Sequence, residues 1–318
     1  MQIRFGYVAI ALNLPKVTSS STVTYTTYQK LGNYEKKLEK LKKVTLTNLD
    51  DLYKILNYNV DNNIHFYRIT SQLVPLATHP EVNWNYRPIF KIDFKRIGDF
   101  VKNNNMRVDT HPDEFNVLNS IREEVVESTK RNLWAHVHLF EDIDYPNGKM
   151  VLHVGSSQGG KEKAAERFIE NFNSFPSEIT SRLMLENDDK TFTAKEVLKI
   201  CKELNAPMVL DVHHHICNND GDYIENMLLD IFNTWKGQPL PPKIHYSSPR
   251  EGEKDRKHSD YINAEEFVKF LEVCKPLNIN FDVMLEAKMK DLSLYKLIND
   301  IKNIRKDWIW VDETTLEI

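Results

Sequence analysis

Histidine and carboxylate residues stand at the ends of short apolar segments along this chain. Imidazole and carboxylate ligands without sulfur suit manganese, zinc or iron rather than copper(I) or an iron–sulfur cluster. Carboxylates shared between neighbouring metals are typical of sites that attack phosphate. The segment ends that indicate such a site read Asp109-Thr110-His111, Val151-Leu152-His153, Leu183-Met184-Leu185-Glu186, Met208-Val209-Leu210-Asp211, Lys243-Ile244-His245 and Val283-Met284-Leu285-Glu286.

Three further residues extend this set. His214 follows Asp211 by three positions, so both side chains can face one cavity from the first turn after a strand, and His258 lies in a later loop. Lys243 and His245 are two residues apart on a strand and therefore share a face. An ammonium has only donors. Lys243 must act as a nearby cation, lose its proton, or be converted to a carbamate that supplies oxygen ligands.

The elements around these residues alternate between strand and helix, which predicts an α/β fold. We expect strands at 2–8, 65–69, 106–110, 150–153, 183–186, 208–211, 243–246 and 281–286. Eight such units predict a (β/α)8 TIM barrel formed by residues 1–318 as a single domain. The carboxyl ends of all its strands converge on one face, where this fold carries its chemistry.

Helices are predicted between these strands. Thr193 with Glu196 three residues later forms a capping box, and Asn263 is a candidate cap for another helix. The expected helices cover 46–59 (capped by Thr45 or Thr47), 90–103, 117–140, a stretch from Gly160-Lys161, a stretch from Thr193, 223–234, 264–274 and a last helix to about Ile304.

Composition excludes several classes of protein. The three cysteines form no CxxC pair, which argues against a disulfide scaffold or a thiolate zinc site and favours a reducing cytoplasm. The run 7–14 is too short to cross a bilayer and lacks the features of a signal peptide. We therefore expect a cytoplasmic monomer without a membrane partner. The formal net charge of −4 does not indicate nucleic-acid binding, but bound cations would reverse the local sign at a metal site.

A glycine-rich turn, Gly155-Ser-Ser-Gln-Gly-Gly160-Lys161, matches the GxxxxGK pattern of a P-loop. The next residue is Glu162 rather than the Ser or Thr that holds magnesium, so we expect no nucleotide cofactor. A lysine at a helix N-terminus is still a suitable contact for a DNA phosphate.

The chain resembles the UV damage endonuclease family, a TIM-barrel DNA-repair family related to endonuclease IV. The resemblance covers most of the chain. It rests on Arg4-Phe5-Gly6-Tyr7, Tyr67-Arg68-Ile-Thr-Ser71, Pro75-Leu-Ala-Thr-His79-Pro80, His111-Pro112, His153-Val-Gly155, Leu185-Glu186-Asn187-Asp188-Asp189-Lys190, Asp211-Val-His-His214, Lys243-Ile-His245-Tyr-Ser-Ser-Pro249 and Glu286-Ala-Lys288.

The resemblance implies three divalent metal ions, usually Mn²⁺, with Zn²⁺ or Fe²⁺ as alternatives. The first would be held by His111, His153 and Glu186. Glu186 would bridge to a second, held by Asp211, His245 and Glu286. The third would be held by His214, His258 and a carboxylated Lys243.

The resemblance also implies DNA contacts. His79 would sit near the scissile phosphate, Tyr7 would probe the lesion, and Asn13 would be a nearby polar group. After His111-Pro112 the family has an amide followed by an aromatic residue, whereas this chain has Asp113-Glu114-Phe115. Phe115 keeps an aromatic wedge that can fill the gap between unstacked bases. Glu114 places an acid where DNA is expected.

The expected function is to nick damaged double-stranded DNA immediately 5′ of UV photoproducts, namely cyclobutane pyrimidine dimers and 6-4 photoproducts. The products would carry a 3′-hydroxyl and a 5′-phosphate. An abasic-site endonuclease is the alternative in the same class. A divalent-metal sugar isomerase is an alternative of another class, but it would need neither an aromatic probing loop nor His258. A lesion-binding module without catalysis is disfavoured by the intact set of ligands.

Overall fold

Eight parallel strands follow one another around a barrel in sequence order. The structure, a computed structural model, describes residues 1–318. Neighbouring strands are hydrogen-bonded in the order β2-β3-β4-β5-β6-β7-β8-β1-β10-β9, and the last two are antiparallel. The strands are β1 Gln2–Tyr7, β2 Phe66–Ile69, β3 Arg107–Thr110, β4 Lys149–His153, β5 Leu183–Glu186, β6 Met208–Asp211, β7 Lys243–Tyr246, β8 Phe281–Leu285, β9 Ile309–Trp310 and β10 Thr315–Glu317.

The barrel closes between β1 and β2 through side-chain packing. A Cβ added to Gly6 would lie 2.7 Å from the Phe66 ring, so only glycine lets these strands approach so closely. The Tyr7 and Tyr67 rings also pack edge to face, with centroids 6.2 Å apart. No ladder of hydrogen bonds joins these two strands.

Helices connect the strands and cover the outside of the barrel. One contiguous apolar core fills the space between the two layers. The helices are α1 Tyr25–Lys30, α2 Tyr34–Asp61, α3 Lys91–Asn103, α4 Glu123–Asp142, α5 Lys161–Ser174, α6 Ser177–Thr180, α7 Ala194–Leu204, α8 Val212–Cys217, α9 Leu228–Asn233, α10 Ala264–Cys274 and α11 Lys290–Ile304. No helix is both long and apolar enough to cross a membrane.

The predicted (β/α)8 barrel is confirmed, as are two helix caps. Thr193 and Glu196 form the expected capping box at the start of α7, and the Asn263 side chain accepts hydrogen bonds from the first turn of α10. The sequence analysis did not predict α1, α8 or the hairpin of β9 and β10. The hairpin has strands of only two and three residues, too short for alternation to be visible.

Three predicted helix boundaries were wrong. The first long helix starts at Tyr34 and is capped by Asn33, whose side chain accepts from the Lys36 amide, so neither Thr45 nor Thr47 is its cap. The helix after β3 starts at Glu123 rather than near residue 117, because residues 111–122 form the loop above the barrel. The stretch 223–234 divides into a 3-10 turn at Ile224–Asn226 and the short α9.

Candidate metal centre

Four strands deliver one carboxylate and three imidazoles to the same point. Glu186 ends β5, and its Oε2 lies 3.0 Å from His111 Nε2 and 3.1 Å from His153 Nε2. Its Oε1 lies 2.6 Å from Nδ1 of His245 on β7. The ligand atoms of His111, His153 and Glu186 lie within 4.8 Å of one another, a spacing that one metal ion can span. The structure therefore brings together the three residues predicted for the first ion.

Glu186 also belongs to a second group of three, with Asp211 and His214. Asp211 ends β6 and caps the short α8, since its Oδ1 accepts from the His214 amide at 2.8 Å. Its other oxygen, Oδ2, is buried and has no hydrogen-bond partner. A buried carboxylate oxygen without a donor is costly, and a cation at this position would compensate it.

Three histidines are oriented by backbone carbonyls. Nδ1 of His111 lies 3.0 Å from the Pro112 oxygen, Nδ1 of His214 lies 2.9 Å from the Asn187 oxygen, and Nδ1 of His258 lies 2.7 Å from the Glu286 oxygen. A carbonyl only accepts, so each Nδ1–H must donate, and in the neutral imidazole Nε2 is the nitrogen left to bind a metal. Metal-ligating histidines typically donate their second ring nitrogen in this way. The rings of His214 and His258 have centroids 6.3 Å apart.

Arg68 is a site residue that the sequence analysis quoted without giving it a role. Its Nη2 donates to Glu286 Oε1 at 2.6 Å and lies 2.9 Å from Nε2 of His245. Burial alone would raise the pKa of Glu286, but Arg68, His245 and His258 together outweigh burial and hold that pKa far below its usual value. His245 and Glu286, predicted to share an ion with Asp211, are thus joined here through Arg68. The sequence signalled only its location, since Arg68 is one residue from the end of β2, close to where other strands carry candidate ligands.

Lys243 lies deeper in the barrel than the histidines. It is fully buried, and its Nζ lies 2.5 Å from Oδ2 of Asp109, another residue to which the sequence gave no role. Burial lowers the pKa of Lys243 to about 8, although the neighbouring Asp109 opposes the shift. The polar partner of Lys243 in this structure is therefore Asp109 rather than His214 or His258.

The cavity above these residues has a volume of about 710 Å³ and an excess of acids. The acidic residues along its walls outnumber Arg68, Lys190 and Arg256. Carboxylates gathered in one cavity repel each other unless cations neutralise them. The donor set, the orphaned Asp211 oxygen and this charge balance all fit bound divalent metal ions. The acidic wall residues are Asp113, Glu114, Glu186, Asp188, Asp189 and Glu286.

Tyr7 was predicted to probe the lesion, but the structure does not place it at the metal cavity. Its side chain is fully buried, and its hydroxyl donates to Oδ1 of Asn59 in α2 at 2.8 Å. Side chains alternate across a strand, so Tyr7 shares the outer face of β1 with Ile3 and Phe5 and packs beneath a helix. Asn13 lies in the exposed loop after β1, where its side-chain amide donates to Asp291 at 2.9 Å.

Glu114 and Phe115 lie in the loop between β3 and α4, and both are exposed. Glu114 lines the metal cavity, whereas Phe115, with 66% of its surface exposed, lines an adjacent cavity of about 370 Å³. His79 lines this adjacent cavity, not the metal cavity, and its ring stacks on Tyr25 at 4.0 Å.

Lys161 does not reach the metal cavity. Its Nζ donates to Glu196 at 3.0 Å in a groove between α5 and α7 on the outside of the barrel. The glycine-rich turn before it lies at the start of α5, as expected. Because the ammonium is already paired, the structure gives no support to the predicted contact with DNA.

Comparison with known proteins identifies the family. A family model described as UV-endonuclease UvdE matches residues 3–312. The chain belongs to this family. The UV DNA damage endonuclease of Bacillus cereus (strain B4264) is 40% identical over 306 residues, which are 96% of each chain. The same enzyme of Bacillus mycoides (strain KBAB4) is also 40% identical over 306 residues.

Solved structures agree with this membership of the UvdE family. The crystal structure of SacUVDE matches with a TM-score of 0.85 at 37% identity, covering 96% of this chain and 99% of that one. Endonuclease IV from Thermus thermophilus matches with a TM-score of 0.57 at 13% identity. It covers 94% of this chain and 99% of its own. At that identity the second likeness shows only a shared barrel fold.

Proposed function

We propose that this protein is a metal-dependent endonuclease that nicks the damaged strand of DNA immediately 5′ of UV photoproducts, leaving a 3′-hydroxyl and a 5′-phosphate. Membership of the UV-endonuclease family supports the substrate class. The observation that carries the chemistry is the convergence of His111, His153 and His245 on Glu186 at the carboxyl ends of the strands. Cyclobutane pyrimidine dimers and 6-4 photoproducts are the proposed lesions.

The proposed ligands are those that the family resemblance implies. Three Mn²⁺ ions would be held by His111, His153 and Glu186, by Glu186, Asp211, His245 and Glu286, and by His214, His258 and a carboxylated Lys243. When bound, such ions activate water and neutralise the charge that develops on a phosphodiester.

The protein's own groups orient this set. The Asn187 side chain donates to the Asp211 carbonyl and accepts from the Asp211 amide, both at 2.9 Å. The Asn187 carbonyl in turn fixes the ring of His214. Asn187, directly after β5, therefore positions both Asp211 at the end of β6 and His214 in α8. Arg68 keeps Glu286 ionised, so that carboxylate remains available as a ligand.

Two residues outside the centre are proposed to contact the damaged strand. Phe115 would enter the gap left by unstacked bases, where its exposed ring is already free of the core. His79 would contact the scissile phosphate from the cavity next to the metal site. Ser71 and Asp113 line both cavities, and Ser71 donates to Asp113 at 2.8 Å. The cavity lined by Phe115 and His79 therefore adjoins the metal cavity.

The decisive experiment compares three supercoiled plasmids: UV-irradiated, depurinated and untreated. Purified protein with Mn²⁺ is expected to nick the irradiated plasmid, and chelation should stop it. A labelled duplex with one defined photoproduct then gives the position of the nick, and extension of the product by a polymerase demonstrates the 3′-hydroxyl. Nicking of the depurinated plasmid alone would identify an abasic-site endonuclease. Sugar isomerisation without nicking would identify the isomerase alternative.

A further inference from the structure

The region from the end of α1 into the first half of α2 carries a local excess of positive charge. Residues 30–43 include six lysines and two glutamates, a surplus of four positive charges in a chain whose net charge is −4. The acidic metal cavity does not account for how such a protein would hold a polyanion such as DNA. A separate basic surface would supply the electrostatic attraction to the DNA phosphates.

Three of these lysines form one face of α2. Lys36, Lys40 and Lys43 are spaced by four and three residues, which places them side by side on a helix. All three are exposed, and no carboxylate lies within 4.0 Å of their ammonium groups. Lys54 in the same helix, by contrast, is bound to Asp51 at 2.7 Å. We call Lys36, Lys40 and Lys43 the α2 lysine face.

The α2 lysine face lies near the mouth of the barrel. A helix that follows a parallel strand runs back along it, so the start of α2 is at the end of the barrel where the strands finish. A row of contacts connects Lys37, beside this face on α2, to His79. The rings of His79 and Tyr25 are 4.0 Å apart, those of Tyr25 and Tyr28 are 6.2 Å apart, and Lys37 Nζ lies 5.0 Å from the Tyr28 ring. The whole row spans no more than about five steps of a DNA strand at roughly 3.4 Å each.

We propose that the α2 lysine face binds the phosphate backbone of the DNA duplex that flanks the nicking site. This inference rests on the proposed function, because that function places DNA over the barrel mouth. Lysine binds phosphate as a point charge and reads no sequence. The face would therefore hold damaged and undamaged duplex equally, while lesion recognition would depend on the residues beside the metal cavity.

The test is a triple substitution, Lys36→Gln, Lys40→Gln and Lys43→Gln. Glutamine is a good helix former, so α2 should be retained. The matched control is Lys236→Gln, Lys275→Gln and Lys306→Gln, which changes the net charge equally. These three lysines are exposed and unpaired, and they lie in the connections after α9, α10 and α11, at the opposite end of the barrel.

Binding to a duplex of about 30 base pairs is measured between about 50 and 200 mM salt, where phosphate contacts dominate. Loss of three such contacts should make the slope of log K against log salt shallower by roughly two to three. Affinity should fall by the same factor for irradiated and untreated duplex. The control variant should keep the wild-type slope. Equal slopes for both triple variants would overturn the proposal.

Nicking kinetics separate this inference from the proposed function. The α2 variant should raise KM for irradiated DNA and leave kcat at saturating DNA unchanged, because the metal centre is intact. A fall in kcat with an unchanged KM and salt slope would refute a backbone contact. If the wild type nicks no DNA at all, the proposed function fails, yet the salt slopes still decide whether the α2 lysine face binds DNA.

Discussion

Glu186 is the residue on which the candidate centre depends. It is buried, it lies within 3.1 Å of ring nitrogens from three histidines, and it belongs to both groups that could hold a metal ion. Burial alone would raise the pKa of Glu186, but His245, His111 and His153 reverse the effect and hold that pKa well below its usual value. The carboxylate is therefore ionised and available to bridge two cations.

The first prediction concerns the substitution Glu186→Gln, which keeps the shape and removes the charge. Nicking should fall by at least about 100-fold, since losing even an outer-shell partner of a metal site typically costs 10–100-fold. Bound metal, measured by elemental analysis, should also fall. The control is Glu196→Gln at the start of α7, where glutamine can still complete the capping box. Full metal content and normal nicking in Glu186→Gln would contradict the bridging role.

The second prediction concerns pH. Burial would lower the pKa of His214, but Asp211 and Glu186 outweigh it and raise that pKa to about 9. Burial raises the pKa of Asp211 to about 6. A metal ion needs neutral imidazole and ionised carboxylate. Affinity for Mn²⁺ should therefore rise from pH 6 to pH 9, and calorimetry in buffers of different ionisation enthalpy should show proton release.

The stability of the metal-free protein should change in the opposite direction. The folded-state pKa of His214 is above its unfolded value of about 6.5. The stabilisation by protonated His214 is thus complete below about pH 6.5 and is lost as pH rises through about 9. Thermal unfolding with and without Mn²⁺ measures both trends. A metal affinity independent of pH over this range would contradict the assignment of His214 as a ligand.

At the scale of elements, the two aromatic residues suggested for lesion recognition lie in different settings, a strand and the loop between β3 and α4. Tyr7 ends a strand and is buried, whereas Phe115 lies in the loop and is exposed. An exposed aromatic ring beside a cavity is available for stacking on bases, and a buried one is not. The proposed lesion wedge would therefore be Phe115, in this loop, and not Tyr7.

The third prediction is that Phe115→Ala weakens binding to lesion duplex by about tenfold or more. Stacking on a base contributes ~1–3 kcal/mol, and ~1.4 kcal/mol corresponds to one decade. Binding to undamaged duplex should change little, because phosphate contacts dominate it. The control is Ile121→Ala, which removes another exposed apolar side chain from the same loop. Equal losses on both duplexes, compared at one salt concentration, would show that Phe115 has only a structural role.

The same elements show what the sequence could predict. All eight barrel strands were predicted to within two residues at each end, because buried parallel strands read as apolar runs. The start of α2 was missed although Leu38, Leu41 and Val44 continue its apolar face beyond the predicted limit. Alternation along β1 would also have grouped Tyr7 with Phe5 on the outer face. The role of Arg68 could not be read locally, because its partners are 177 and 218 residues away.

At the scale of the whole molecule, the barrel interior below the metal centre is polar. Arg4 and Arg107 both donate to Asp282, and Lys243 is paired with Asp109 above them. Arg107 is almost wholly buried, and its guanidinium also lies 5.2 Å from the Trp235 ring. Buried charges need partners. We call Arg4, Arg107, Asp282, Asp109 and Lys243 the charged column, and its pairs hold strands β1, β3 and β8 at fixed positions beneath the ligands.

The fourth prediction is that Asp282→Asn, which removes a carboxylate from the charged column, destabilises the protein. Asparagine keeps the volume but removes the carboxylate nearest to buried Arg107 and leaves only Asp109, 3.8 Å from its Nε. Breaking a buried pair in this way costs about 3–5 kcal/mol. Denaturant unfolding should show that loss. Asp50→Asn, which breaks the exposed pair with Arg96, should change stability little. If the column supports the centre, Asp282→Asn should also lower metal content at temperatures where the protein is still folded. Normal stability in Asp282→Asn would show that the parallel ladders alone hold the barrel and its ligands in place.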